Sequence, residues 1–207
     1  MSTRVMVIAA CVTAMITSIK VAVSPAVPLA LQELPLPQKL PLLSWQQLGS
    51  DFTEQKGTYR FRRGEDRLKV EIALHQGGNL LAQTSQRWDI PKQEISIRKT
   101  QEIGAYGVFA DNRAAYLTAC ITPDGSTTVT ASQFELSRLQ QAMQPQRSLT
   151  NFLDYTSVAD SRCLWVTLST PLDDAPQSSF RTLQSAWFEL NLQWQPVLPK
   201  AQGIRRR

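Results

Sequence analysis

Leu68, Val70, Ile72 and Leu74 alternate with Lys69, Glu71, Ala73 and His75. Successive side chains of a strand point to opposite faces, so a period of two demands a β-strand with one face on a core. Arg60 and Arg62 likewise share a face opposite Tyr59 and Phe61. With Gly64-Glu65-Asp66 between them, Tyr59–Arg63 and Arg67–His75 are expected to form a hairpin, ended by a turn at Gly77-Gly78-Asn79. Further strands are expected at Ala105–Ala110, at Tyr116–Thr122 and at Cys163–Leu168. After a turn at Pro123-Asp124-Gly125, Thr127–Phe134 is expected to return antiparallel. One helix is expected from Ser179 to Trp194. Phe180, Leu183, Trp187, Leu190 and Trp194 fall at offsets 0, 3, 7, 10 and 14 and make one apolar stripe. Such a stripe means packing against a sheet. The expected class is α+β, a mainly antiparallel sheet with a C-terminal amphipathic helix packed on it.

The N-terminus points to export. Arg4 precedes an uncharged, mostly apolar run from Val5 to Ile19, and Lys20 follows. A short basic start with such a run fits a secretory signal or a signal anchor. Lys20 stands where an uninterrupted signal core would continue, which favours an anchor extended through Val21-Ala22-Val23. Cleavage near Ser24-Pro25-Ala26 is the alternative and would leave a secreted protein. Pro25, Pro28, Pro35, Pro37 and Pro41 then block continuous helix and predict a semi-rigid spacer. The expected organisation is a membrane segment at 1–23, a Pro-rich linker at 24–43, an exported domain at 44–199 and a basic tail at 200–207.

Charge placement excludes one class of partner. The formal net charge is +5, from 22 basic and 17 acidic residues. Arg4, Lys20, Lys200, Arg205, Arg206 and Arg207 supply six of the basic residues at the two ends. Sixteen remain against 17 acids across residues 21–199, so the body is near neutral. Whole-domain capture of DNA or RNA is not expected.

Catalytic chemistry is sparse. His75 is the one histidine, which excludes a His-rich metal site, and no Cys-x-x-Cys, dinucleotide, phosphate-loop or Gly-x-Ser-x-Gly element is present. No cofactor is expected. Cys120 and Cys163 have three readings: an oxidising-compartment disulfide, two buried thiols, or a thiol nucleophile with His75 as base. The local basic cluster comprises Lys56, Arg60, Arg62, Arg63, Arg67 and Lys69. It is suited to an acidic glycan, a lipid headgroup or an acidic partner, against the plainer reading of a solvated strand face. Trp45, Trp88 and Trp165 are contact residues or core.

Two segments carry a distinctive pattern, Tyr116–Phe134 and Asp160–Leu172, each centred on a cysteine. Together with Leu183, Ala186-Trp187-Phe188 and Trp194 they resemble the cyanoexosortase A system-associated proteins of cyanobacteria, over roughly residues 40–199. Thr122-Pro123-Asp124 departs from the Asn-Pro-Arg-like turn of that pattern. The resemblance implies a membrane-anchored accessory of an exosortase, a multipass membrane enzyme that processes proteins with a C-terminal sorting signal, in systems associated with exopolysaccharide and surface assembly. Cleavage chemistry would then belong to the exosortase, and the exosortase or its sorted substrates would be the partner. Two other readings stay open: an independent periplasmic glycan- or lipid-headgroup-binding module, and a Cys–His hydrolase.

Overall fold

In a computed structural model the described residues are 36–53, 56–77, 79–122, 125–142, 162–173 and 175–193. The expected membrane segment, the first part of the linker, Pro123-Asp124, Trp194 and the basic tail lie outside them. Among the described residues, eight strands make one sheet. Strand β3 (Asp66–Gln76) carries the alternation noted above, with Leu68, Val70 and Ile72 all buried. It pairs antiparallel with β2 (Lys56–Arg63) across the Gly64-Glu65 turn, with Phe61 opposite Leu68 and Arg62 opposite Arg67. Gly64 takes a φ of 60°, a left-handed conformation in which a side chain would be strained. Strand β1 (Gln46–Thr53) pairs with β2 and forms one edge.

A second antiparallel run is built from β4 (Ser96–Thr100), β5 (Gly104–Ala110) and β6 (Ala114–Ile121). The two-residue β7 (Thr127–Thr128) pairs with the end of β6 beside Cys120 and Ile121. The last strand, β8 (Arg162–Pro171), inserts between β3 and β6 and joins the two runs into the order β1-β2-β3-β8-β6-β5-β4. Flanked by strands on both sides and covered on both faces except near Ser169 and Pro171, β8 is buried over most of its length. That placement explains its near-continuous apolar run.

Helices cover both faces of the sheet. Helix α3 (Pro176–Gln193) lays Leu183, Ala186, Trp187 and Leu190 on the face formed by Val70, Leu117, Val166 and their neighbours. The opposite face receives α1 (Leu80–Trp88) and α2 (Ala131–Ala142). There Leu80 and Phe134 pack on Cys120 and Cys163. Ile90, Ile95 and Phe109 form a third small cluster.

Several expectations change. Residues 36–43 belong to the domain rather than to a spacer: Leu40 and Leu42 are buried in the main core, and the Tyr59 hydroxyl donates to the Pro37 carbonyl at 2.7 Å. The prolines prevent helix there, but the leucines between them still find apolar surface. The expected strand Thr127–Phe134 stops after Thr128 and becomes helix α2 from Ala131. A capping box ends it. Thr130 Oγ1 accepts from the Gln133 amide at 3.3 Å, and Gln133 Oε1 accepts from the amides of Val129 and Thr130 at 2.9 and 3.2 Å. Helix α1 starts within what read as a turn, because Asn79 Oδ1 accepts from the Ala82 amide at 3.3 Å.

Candidate functional site

The face of the sheet that carries α1 and α2 is only partly covered. The helices sit at the end around Cys120, Cys163 and Trp165, and the end of β8 around Ser169 and Pro171 lines an open groove of about 470 Å³. Arg60 and Arg62 reach it from β2, Arg67 and Lys69 from β3, and Arg113 from the turn before β6. Four of the six residues of the expected basic cluster therefore meet in one place, and Lys56 and Arg63 do not line it. Alternation accounts for this. Phe61 and Leu68 turn into the core, so Arg60, Arg62, Arg67 and Lys69 emerge together on the other face.

Arg63 does not join them. It follows Tyr59 and Phe61 at a spacing of two, which puts it on the core side of β2, where its guanidinium lies 4.4 Å from the Trp45 ring centre and pairs with Asp66 at 3.2 Å. Trp45 itself is buried. Trp165 and Trp88 are half-buried and stack edge-on at 6.1 Å, and Trp165 Nε1 donates to Thr118 Oγ1 at 2.8 Å.

Arg113 was not singled out from the sequence. It follows Asp111-Asn112 as an isolated cation, with no local pattern tying it to the hairpin. Asp111 fixes the turn that aims it: one carboxylate oxygen accepts from the amides of Arg113 and Ala114 at 2.7 and 2.8 Å, the other from the Tyr116 hydroxyl at 2.9 Å. Burial alone would raise the Asp111 pKa. Those hydrogen bonds and the Arg113 charge outweigh it and hold the carboxyl below its ordinary range.

Beside the groove, Glu71 is shared by three cations: Lys69 at 2.7 Å, Arg87 at 2.6 Å and Lys56 at 3.1 Å. Arg87 in turn lies over the rings of Trp88 and Trp165, at 4.5 and 5.3 Å from their centres. Burial pushes the Glu71 pKa up, but hydrogen bonds from Lys69 and Lys56 and the charge of Arg87 overcome it and bring it from 4.5 down to about 2. A carboxyl that ionises more readily folded than unfolded stabilises the fold when charged. This contribution is full above about pH 4.5 and is lost as pH falls toward 2. Glu71→Gln is expected to cost about 2 kcal/mol at pH 7, less than the full shift because its partners are solvent-screened. Urea unfolding at pH 7 and pH 3 checks it. The difference between variant and parent should shrink at pH 3, and an equal difference at both would discard the charge network as the cause.

Cys120 and Cys163 form a disulfide, with Cα atoms 5.7 Å apart. Neither sulfur is then a free thiol nucleophile. His75 stands opposite Cys163 across β3 and β8, edge-on to Trp165 at 5.8 Å, and burial lowers its pKa. Among the described residues, no group of three or more His, Cys, Asp or Glu is placed to hold a metal ion, and no helix is long and apolar enough to cross a membrane. No known family model, curated protein or solved structure matches the chain.

Proposed function

We propose that the chain is a non-catalytic, membrane-anchored accessory protein of an exosortase-type sorting system, linked to exopolysaccharide or surface assembly. Its domain lies on the exported, periplasmic side and binds or positions the exosortase or its sorted substrate. The exosortase part of this reading comes from the pattern in residues 116–134 and 160–172. The binding part is carried by one observation: Arg60, Arg62, Arg67, Lys69 and Arg113 gather in one groove on a bare end of the sheet. An anchor at residues 1–23 would keep the groove close to a multipass partner and raise its effective concentration there.

Affinity recovery of the full-length protein from gently solubilised native membranes, followed by mass spectrometry, tests this. Exosortase or its sorted substrates should be enriched, and the triple variant Arg60→Glu, Arg62→Glu, Arg67→Glu should lose that enrichment while keeping the parent circular dichroism spectrum. Good yield of bait with neither class enriched, in cells that express both, would end the accessory reading. The second reading is an independent glycan- or headgroup-binding module. The groove favours it because its volume lies in the range of small-ligand sites, roughly 300–1,000 Å³.

A further inference from the structure

Arg62 and Arg67 stand directly opposite each other on β2 and β3. Like charges at opposed positions of an antiparallel pair work against the sheet. The next opposed pair on this face, Arg60 and Lys69, is relieved, since Asp51 pairs with Arg60 and Glu71 with Lys69. Arg62 and Arg67 have no such relief: among the described residues neither meets a carboxylate within ion-pair distance. A third guanidinium, Arg113, lines the same groove, while both oxygens of the nearby Asp111 are committed to holding its own turn. An unrelieved conflict inside an otherwise consistent hairpin marks a position kept for something other than stability.

We infer that Arg62 and Arg67, with Arg113 as a third donor, form a binding site for a phosphomonoester group. This rests on the reading of the groove as the binding surface and names the chemistry of its ligand. Each guanidinium offers a planar fork of N–H donors that matches two oxygens of such a group. A monoester carries about −1.5 to −2 charges at neutral pH, which balances two guanidiniums, whereas a single carboxylate leaves one of them unbalanced. Leu48 and Pro171 supply apolar wall for whatever the phosphate is attached to. Two sources present this chemistry, the monoester headgroup of a phosphatidic acid and a water-soluble phosphate monoester.

The test titrates the full-length protein in detergent, at constant ionic strength, with inorganic phosphate, glycerol 3-phosphate, dibutanoyl phosphatidic acid and glucuronate, followed by calorimetry. The phosphates should bind saturably. R62Q and R67Q should each weaken them by about tenfold or more, the scale of a lost charge-assisted hydrogen bond, while R181Q on α3 changes nothing. Tighter binding of dibutanoyl phosphatidic acid than of glycerol 3-phosphate supports the inference with a lipid source. Equal binding supports it with a soluble ester. Glucuronate binding as strongly as phosphate, with the same loss in R62Q, overturns the phosphate assignment and leaves the groove reading standing. Binding of no probe, while partner recovery still depends on the groove charges, overturns this inference alone. Loss of both results overturns both.

Discussion

Converting Cys120 and Cys163 together to alanine is expected to destabilise the domain by about 2–4 kcal/mol. In a domain of this size that lowers the melting temperature by about 10 °C. The bridge closes a sequence separation of 43 residues, and it links β6 to β8, the strand that joins the two halves of the sheet. Most of the effect arises in the unfolded chain, whose freedom the bridge restricts. Part arises in the fold, because both sulfurs lie in the apolar cluster under α1 and α2 with Leu80 and Phe134. Thermal melting with and without reductant measures it. Reduced parent and double-alanine variant should melt at similar temperatures, both well below the oxidised parent. Coincident melting of oxidised and reduced parent would show that the bridge contributes nothing. Such dependence suits a compartment where thiols are oxidised, as export would provide.

Trp187→Ala is expected to cost about 3–5 kcal/mol, the largest effect of a single substitution proposed for this chain. Trp187 is fully buried where α3 meets β6 and β8, at the centre of the main core. Truncation leaves a cavity that a helix held by Leu183 and Leu190 on either side cannot close. Trp187→Phe should be far milder, under about 1.5 kcal/mol, because it keeps most of the apolar volume. The indole Nε1 is buried without a hydrogen-bond partner, so its removal also relieves a desolvated donor. Urea unfolding of both variants separates these contributions. Equal losses would mean that an unseen polar interaction, and not volume, makes this tryptophan matter.

The parts of the fold legible from sequence were those with strong local signals. The hairpin of β2 and β3 and the stripe of α3 announce themselves through spacing of two or of three and four, and β5, β6 and β8 through runs of apolar and β-favouring residues. Elements whose signal was a single side chain were missed. Helix α1 depends on Asn79 as a cap, and the Thr130-Gln133 capping box cut short a strand that β-favouring composition had prolonged. The edge strands β1 and β4 carry weak patterns because so much of each faces water. Of the groove, Arg60, Arg62, Arg67 and Lys69 could be seen as one face of a hairpin. Arg113 could not, since nothing within its own neighbourhood relates it to β2.

The sequence by itself determined which side chains of each strand face inward, because alternation is a property of the local backbone. It therefore placed Arg60 and Arg62 on one face of β2, but the grouping of Arg63 with them fails, because Arg63 falls in step with Tyr59 and Phe61 on the core side. Only the tertiary structure decided that β8, the last strand in the chain, sits between β3 and β6. Strand order depends on contacts between segments far apart in the chain, Lys69 with Ser169 and Ile121 with Leu164, which no local pattern encodes. That one insertion brings Cys163 beside Cys120 and sets Arg113 in the same groove as Arg62 and Arg67.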